Sequence, residues 1–335
     1  MDARRRFTRC AYGIAELLMG AATGIVVVAV HHLFVPQALG AVVQFVLGMT
    51  LGMTAQMVFS MLAGVLIGTF EAMVPGMLTG MLVMGLPYFK IPSFGSELLA
   101  GAALGAGTYL AFAVWDVRSR GENLPVPTAP VAGFTPQPPL HWGRFARFYD
   151  LIEGAGSRRR GSDQRRLFSK MDGKVLLVAA GTGLNFAQFP PGKDIVAIDL
   201  TFSMLRQARA RASGYSGLLL LAQADAQSLP FGDASFRTVV TASTLCSVYE
   251  PVRALQEFLR VLQPGGTLLM FEHVRSHNAL VGIELDFMTW LFRGMAPAMN
   301  RDTVGNAQHA GFVIDRIVAV YLDVILAIEA HKPMP

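Results

Sequence analysis

Between residues 39 and 86 the chain carries one charged side chain, Glu71, in 48 positions. A membrane span takes about 20 apolar residues, so this block is long enough for two spans joined by a tight turn. No polar loop marks that turn, which composition places between Phe59 and Pro75. Residues 11–34, with one carboxylate at Glu16, and residues 98–115 form two further apolar blocks. Over all 335 residues only 15% are charged and 53% are hydrophobic, against roughly 25% charged in a soluble globular chain. A wholly soluble or a disordered chain is therefore excluded. The net charge of +5 sits in short arginine clusters, which argues against a nucleic-acid partner. Two cysteines, Cys10 and Cys246, are too few for a disulfide framework and suit a reducing compartment.

Arginines 4, 5, 6 and 9 precede the first apolar block, and Arg118 and Arg120 follow the last. Basic flanks mark the cytoplasmic side, so both ends lie inside and the number of spans is even. Four spans are expected, forming an all-α transmembrane domain over residues 1–122. The Arg4-Arg5-Arg6-Phe7 start resembles an export signal, but its apolar stretch is long and leads into further spans. Glycines repeat every four residues at 48 and 52, 64 and 68, 76 and 80, and 101 and 105, a spacing that lets helices approach closely in lipid. Methionines 49, 53, 57 and 61, and 73, 77 and 81, form stripes. They read either as gap-fillers beside glycine or as a thioether path for a soft metal ion. Glu71 is expected to face a partner or to sit at the turn. His31 and His32 read as interfacial residues, and no zinc-ligand spacing appears, so no metal site is assigned.

Six prolines between residues 123 and 140 predict an extended linker. Arginines at 158–160 and 165–166 follow a short aromatic helix. They read equally as a lipid-facing cluster or a solvated basic loop. From Lys174 onward, strand and helix signals alternate, which predicts a doubly wound α/β sheet in a domain over residues 141–335. Strands are expected at 174–179, 194–198, 218–222, 238–242 and 267–271, with helices at 202–212 and 251–262. Gly181-Thr182-Gly183 follows the first strand, Asp199 the second and Asp225 the third. Open α/β sheets bind ligands at the carboxyl ends of their strands. There Gly181 and Gly183 allow close backbone approach, Asp199 can accept both ribose hydroxyls, and Asp225 can accept an adenine amine. A dinucleotide dehydrogenase also needs a glycine loop and an acidic second strand, but its third loop glycine has no counterpart here.

The segment from about residue 145 to 331 resembles class I S-adenosylmethionine-dependent methyltransferases. Within them it is most similar to the membrane-associated group that includes alkyl-thiol S-methyltransferases. The matching residues are Gly181-Thr182-Gly183 with Asn185-Phe186, Asp199-Leu200-Thr201 with Met204-Leu205, Asp225-Ala226 with Leu229-Pro230-Phe231, and Leu245-Cys246-Ser247-Val248. Pro264-Gly265-Gly266, Phe271-Glu272-His273-Val274, Tyr149-Asp150 and Asn300-Arg301-Asp302-Thr303 also match. The resemblance implies a Rossmann-like fold with S-adenosyl-L-methionine as cofactor. It would be held by Gly181, Thr182, Gly183, Asn185, Asp199, Leu200, Met204, Asp225, Ala226 and Thr244. Two residues depart from the pattern: Leu177 stands where an acidic residue usually helps hold the methionine part of the cofactor, and Ala179 stands where glycine is usual.

Methyl transfer needs alignment, a dry pocket and sometimes a base. His273, Glu272 and Tyr149 are the candidates. The apolar late region, including Phe287, Met288, Trp290 and Leu291, suggests a lipophilic acceptor drawn from the bilayer. The resemblance implies a small thiol; a phospholipid amine or a quinone ring is the alternative. A different class also remains open, a membrane soft-metal or small-molecule module with a non-catalytic cofactor-sensing domain.

Overall fold

Gly68 breaks the long apolar block. Its φ of +109° is a conformation that residues with a side chain rarely adopt, and one helix ends there as the next begins. The computed structural model describes residues 3–36, 38, 40–86, 91, 93–127 and 142–335, and the chain divides into two compact units. The first comprises residues 1–118 and 151–159. It holds α1 (Ala3–Phe34), α2 (Ala41–Ile67), α3 (Thr69–Val83) and α4 (Phe94–Ser119). Among the described residues three helices are long and apolar enough to cross a membrane, over Ala11–Phe34, Val42–Ile67 and Phe94–Ser119. The 15-residue α3 has Pro75 inside it. At 1.5 Å per residue it reaches about 22 Å, short of an apolar core about 30 Å thick. Where a fourth span was expected, the chain has a shorter apolar helix.

Glycine sets the packing in this unit. A Cβ on Gly24 would meet the carbonyl of Gly101, and one on Gly105 would meet that of Gly20. Thus α1 and α4 touch backbone to backbone. The Met84 side chain lies over Gly48 and Gly52, where methionine acts as a gap-filler.

The helix α5 (Trp142–Phe168) contributes residues 151–159 to this unit. Its Arg159 pairs with Glu16, and lies 3.6 Å from Glu71 and 3.9 Å from Asp116. The guanidinium also sits over the Tyr12 ring, 5.3 Å from its centre. All three carboxylates are buried, so Glu71 lies just after the turn and also has a charged partner. The arginines at 158–160 belong to a continuous helix, not a basic loop. The physical reason for Arg159's placement is that buried carboxylates require a counter-charge.

The second unit comprises residues 119–150 and 160–335. Its strands are β1 (Lys174–Val178), β2 (Asp194–Asp199), β3 (Leu218–Gln223), β4 (Phe236–Ala242), β5 (Leu262–His273), β6 (Val313–Tyr321) and β7 (Ile325–His331). They form one sheet in the order β3-β2-β1-β4-β5-β7-β6. The first five are parallel, and β7 runs antiparallel between β5 and β6. Among the described residues the two ends of α5 accompany them, with α6 (Phe202–Ala212), α7 (Pro251–Val261), α8 (Ala279–Leu291) and α9 (Thr303–Ala310). Amphipathic α7 buries Ala254, Leu255, Phe258 and Val261 in the core beside Leu176, Val239 and Leu268. The chain leaves β1 in one direction and returns to β4 on the other side, so a crevice opens at their carboxyl ends.

The start of the expected linker is built into this sheet. Gly121 N donates to Ala319 O at 2.7 Å, Leu124 N donates to Ile317 O at 2.9 Å, and Leu124 packs on the core. Residues 128–140 of that linker lie outside the described residues.

The close approach of α1 and α4 is testable in detergent micelles. Gly24→Ala is expected to destabilise the full chain by about 1–3 kcal/mol through overpacking. Gly107→Ala, where an added Cβ meets nothing within 4 Å, is expected to be neutral or to stabilise by up to about 1 kcal/mol. Equal shifts in melting temperature would remove the close-approach account.

Candidate functional site

The loop after β1 turns through three left-handed residues, Ala179 (φ +56°), Gly181 (φ +56°) and Gly183 (φ +80°). At Gly181 an added Cβ would find only the Tyr149 ring, at 3.9 Å; this glycine leaves space on the crevice side. At Gly183 a Cβ would strike the Phe186 ring. That glycine starts the short 3₁₀ helix Leu184–Gln188 and does not line the cleft. Asn185 lies within the 3₁₀ helix, also away from the cleft. Thr182 is buried; its hydroxyl donates to Asp150 Oδ1 at 2.5 Å. Arg211 closes this clamp, donating to Thr182 O at 2.6 Å and to Asp150 Oδ2 at 2.5 Å. Thr182 therefore fastens the first turns of α5 to the glycine loop.

Of the remaining expected cofactor residues, Gly181, Asp199, Leu200, Met204, Asp225, Ala226 and Thr244 line the cleft together with Tyr149. Asp199 Oδ2 accepts from Gly181 N and Oδ1 from Thr201 N, both at 2.8 Å. Burial raises its pKa above the usual carboxylate value, while these amides pull it back down. Asp225 Oδ1 accepts from Gln227 N at 2.8 Å, which fixes the turn after β3. Each carboxylate oxygen keeps lone-pair capacity for a ligand's hydroxyl or amine donors. Trp142 and Tyr149 of α5 meet edge to face at 5.7 Å and form one wall. Trp142, Gln227, Ser243, Ser247 and Tyr249 also line the cleft without having been singled out. Ser247 belongs to the Leu245-Cys246-Ser247-Val248 match, which makes its neighbourhood legible in the sequence.

Glu272 and His273, expected as bases, do not line the cleft. Thr244 N donates to both carboxylate oxygens of Glu272 at 3.0 Å, and Leu245 N donates at 3.2 Å. Glu272 thus braces the loop after β4 from behind. Its full burial pushes its pKa up to about 7 against the pull of those donors. His273 is also buried, and burial, with the charges of Arg160 and Arg301, lowers its pKa to about 3. The ring is neutral at physiological pH. Leu177 is buried in β1, and Ala179 holds the left-handed conformation that glycine would take without strain.

Comparison with known proteins places residues 176–270 in a methyltransferase domain family. The chain is 32% identical over 193 residues to Thiol S-methyltransferase TMT1B of Homo sapiens, covering 52% of this chain and 77% of that protein. It is 39% identical over 123 residues to Ubiquinone/menaquinone biosynthesis C-methyltransferase UbiE of Saccharophagus degradans, covering 35% of this chain and 49% of the relative, about half its length. Among solved structures, a S-adenosylmethionine-dependent methyltransferase from Mesorhizobium loti has 17% identity and a TM-score of 0.41, covering 52% of this chain and 98% of that one.

Two expected outcomes follow from this geometry. A residue with a side chain in the left-handed region costs about 1–2 kcal/mol, and the greater unfolded-state freedom of glycine returns about 0.4–1 kcal/mol. Ala179→Gly is therefore expected to stabilise the chain by about 0.5–1 kcal/mol in thermal melts; a loss would contradict the strain.

The second concerns pH. Glu272 is raised from 4.5 to about 7, so its contribution is complete below pH 4.5 and lost as pH rises through 7. His273 is lowered from 6.5 to about 3, so its contribution is complete above pH 6.5 and lost as pH falls through 3. Subtracting the stability of Glu272→Gln from wild type should give a difference that falls with pH, by up to about 1.4 kcal/mol per unit. The same subtraction with His273→Gln should give a difference that rises. Parallel curves in urea melts across that range would refute both assignments.

Proposed function

Because this chain belongs to the S-adenosylmethionine-dependent methyltransferase family, we propose that it is a membrane-anchored enzyme that methylates a small lipophilic acceptor, a thiol. The observation that carries the reading is the position of Asp199, a buried carboxylate bonded to the glycine-loop amide at the mouth of the crevice. The residues there suit the cofactor. Asp199 and Asp225 offer acceptors to ribose hydroxyls and an exocyclic amine, Gly181 leaves room, and Leu200 and Met204 give an apolar side. When bound, S-adenosylmethionine supplies an electrophilic methyl group on a sulfonium. The chain's own part is alignment and exclusion of water, with Trp142 and Tyr149 as a wall.

A thiol of ordinary pKa, about 8.5, is already partly ionised at neutral pH, so the buried, neutral His273 is not required as its base. Arginines before the first apolar helix and after the last both favour the cytoplasmic side for the catalytic unit; this reading needs the shorter α3 to return the chain across the bilayer alongside the three long helices. The thiol reading draws on the similarity to Thiol S-methyltransferase TMT1B.

A second reading, a quinone ring as acceptor, is favoured by the similarity to UbiE and to a further relative of that name, 35% identical over 146 residues. A ring carbon must lose a proton after methylation, and of the three expected bases Tyr149 alone faces the cleft.

Calorimetric titration of S-adenosylmethionine into the full chain in detergent tests the site. Asp199→Ala is expected to weaken binding by about 10- to 100-fold, the worth of one charge-assisted contact; undiminished binding would overturn the assignment. With an alkylthiol, Tyr149→Phe is expected to retain turnover within several-fold. With a demethylated quinone, loss of a general base is expected to reduce it by about 100-fold or more.

A further inference from the structure

The helix α8 presents two apolar faces. One is built into its unit through Val281, Leu285 and Met288. On the other, Leu280, Ile283, Phe287 and Trp290 are 67%, 62%, 37% and 70% exposed. Their spacing of three, four and three puts them in one column along the helix. No charge interrupts that column: Glu284 is buried, and Asp286 is tied to Arg275 at 2.8 Å. Isolated exposed apolar residues need no explanation, but a continuous column of four does.

We propose that this column lies in the interfacial layer of a lipid bilayer, a contact separate from the apolar helices of the first unit. Three features of the chain favour a bilayer over a protein partner. First, three helices of the same chain are long and apolar enough to enter a membrane, so a bilayer is always within reach of the tethered unit. Second, the column ends in an aromatic pair, Phe287 and Trp290, with ring centres 5.8 Å apart; Trp is the residue favoured where acyl chains meet headgroups. Third, the exposed Arg293 lies two residues beyond the end of the helix, a cation at the end of the column where headgroups would lie.

The chain beyond α8 returns to the cleft. Ala298 N donates to Cys246 O at 3.0 Å, and Arg301 Nη2 donates to Val248 O at 2.8 Å, while Val248 is itself a lining residue. A lipophilic acceptor leaving the acyl layer beside α8 thus meets a segment packed on the cleft wall. This inference rests on the membrane-anchored reading given above.

The three tryptophans separate the two. Trp115 lies in α4 and Trp290 on α8, while Trp142 lines the cleft. The full chain is reconstituted in phosphatidylcholine vesicles as two variants, Trp142→Phe/Trp290→Phe, which keeps Trp115, and Trp115→Phe/Trp142→Phe, which keeps Trp290. The quencher is lipid brominated near the headgroup end of its acyl chains. An in-plane helix sits about 5–10 Å into the boundary layer, so Trp290 emission is expected to fall about twofold or more. Adding Leu280→Ser and Ile283→Ser is expected to abolish that quenching without lowering the melting temperature.

Quenching of Trp115 without Trp290 would overturn the docking and leave the anchor standing. Quenching of neither would overturn both. Quenching of Trp290 that survives the serine pair would overturn the column as the docking element. Protection of Trp290 from aqueous iodide without bromolipid quenching would mean that a second copy covers it, and would equally overturn the proposal.

Discussion

The carboxylate of Asp199 is the point on which the cleft depends. A buried carboxylate is costly unless hydrogen-bonded, and here the amides of Gly181 and Thr201 both donate to it. One bond ties the glycine loop to the end of the second strand; the other fixes the residue before α6. From that tie the rest of the wall follows. Once the loop is set, Thr182 is placed to bond Asp150, Arg211 bridges the two, and Tyr149 is held at the crevice. The Thr244 side follows the same logic from the opposite direction, with the buried Glu272 collecting the amides of residues 244 and 245. The cleft is thus framed by two carboxylates, one facing it and one behind it.

The first unit solves the opposite problem, charge within apolar helices. Glu16, Glu71 and Asp116 come from three different helices and converge on Arg159. Removing one partner from such a buried set typically costs about 3–5 kcal/mol, because the others are left uncompensated. The set works against stability when incomplete, and in return specifies how those helices meet. Glycine does the rest of the specifying. Gly20 and Gly24 repeat with the same four-residue period as Gly101 and Gly105, and the two pairs face each other.

Much of the second unit was legible because its signals are local. The helix over 202–212 has the bounds its sequence implied; Asp199 is the last residue of β2, one position inside the strand expected before it, and Asp225 follows β3. What was not legible depends on partners far away in sequence. Glu272 and His273 occupy successive strand positions, so they point to opposite faces of the sheet; both faces are covered there, and neither side chain reaches the cleft. The arginines at 158–160 look solvated in isolation because the carboxylates that bury Arg159 lie 43 to 143 residues earlier. Strands β6 and β7 close the sheet as an antiparallel pair after two successive helices, α8 and α9. The strand–helix alternation that revealed the first five has ended by then. The glycine break at residue 68 carried no polar loop, only Thr69 and Glu71 after it, because a turn inside an apolar block needs a backbone conformation more than it needs water.

The two strained residues beside the crevice make a last link between sequence and function. Ala179 and Ser243, both at positive φ, stand at the carboxyl ends of β1 and β4, the parallel neighbours between which the order of strand addition reverses. Strain of this kind persists only where neighbours impose it. Here Ala180 N bonds Ile198 O, and Ser243 N bonds Phe271 O, at 2.8 Å each. These bonds continue the sheet two residues past β1 and one past β4, and the chain must then turn sharply to leave the crevice open. A glycine at 179 would make that turn without penalty. That alanine is tolerated there argues that the opening is enforced by the sheet itself, through β2 on one side and β5 on the other. The crevice is therefore a property of the fold's strand order, and the identity of the loop residues tunes it.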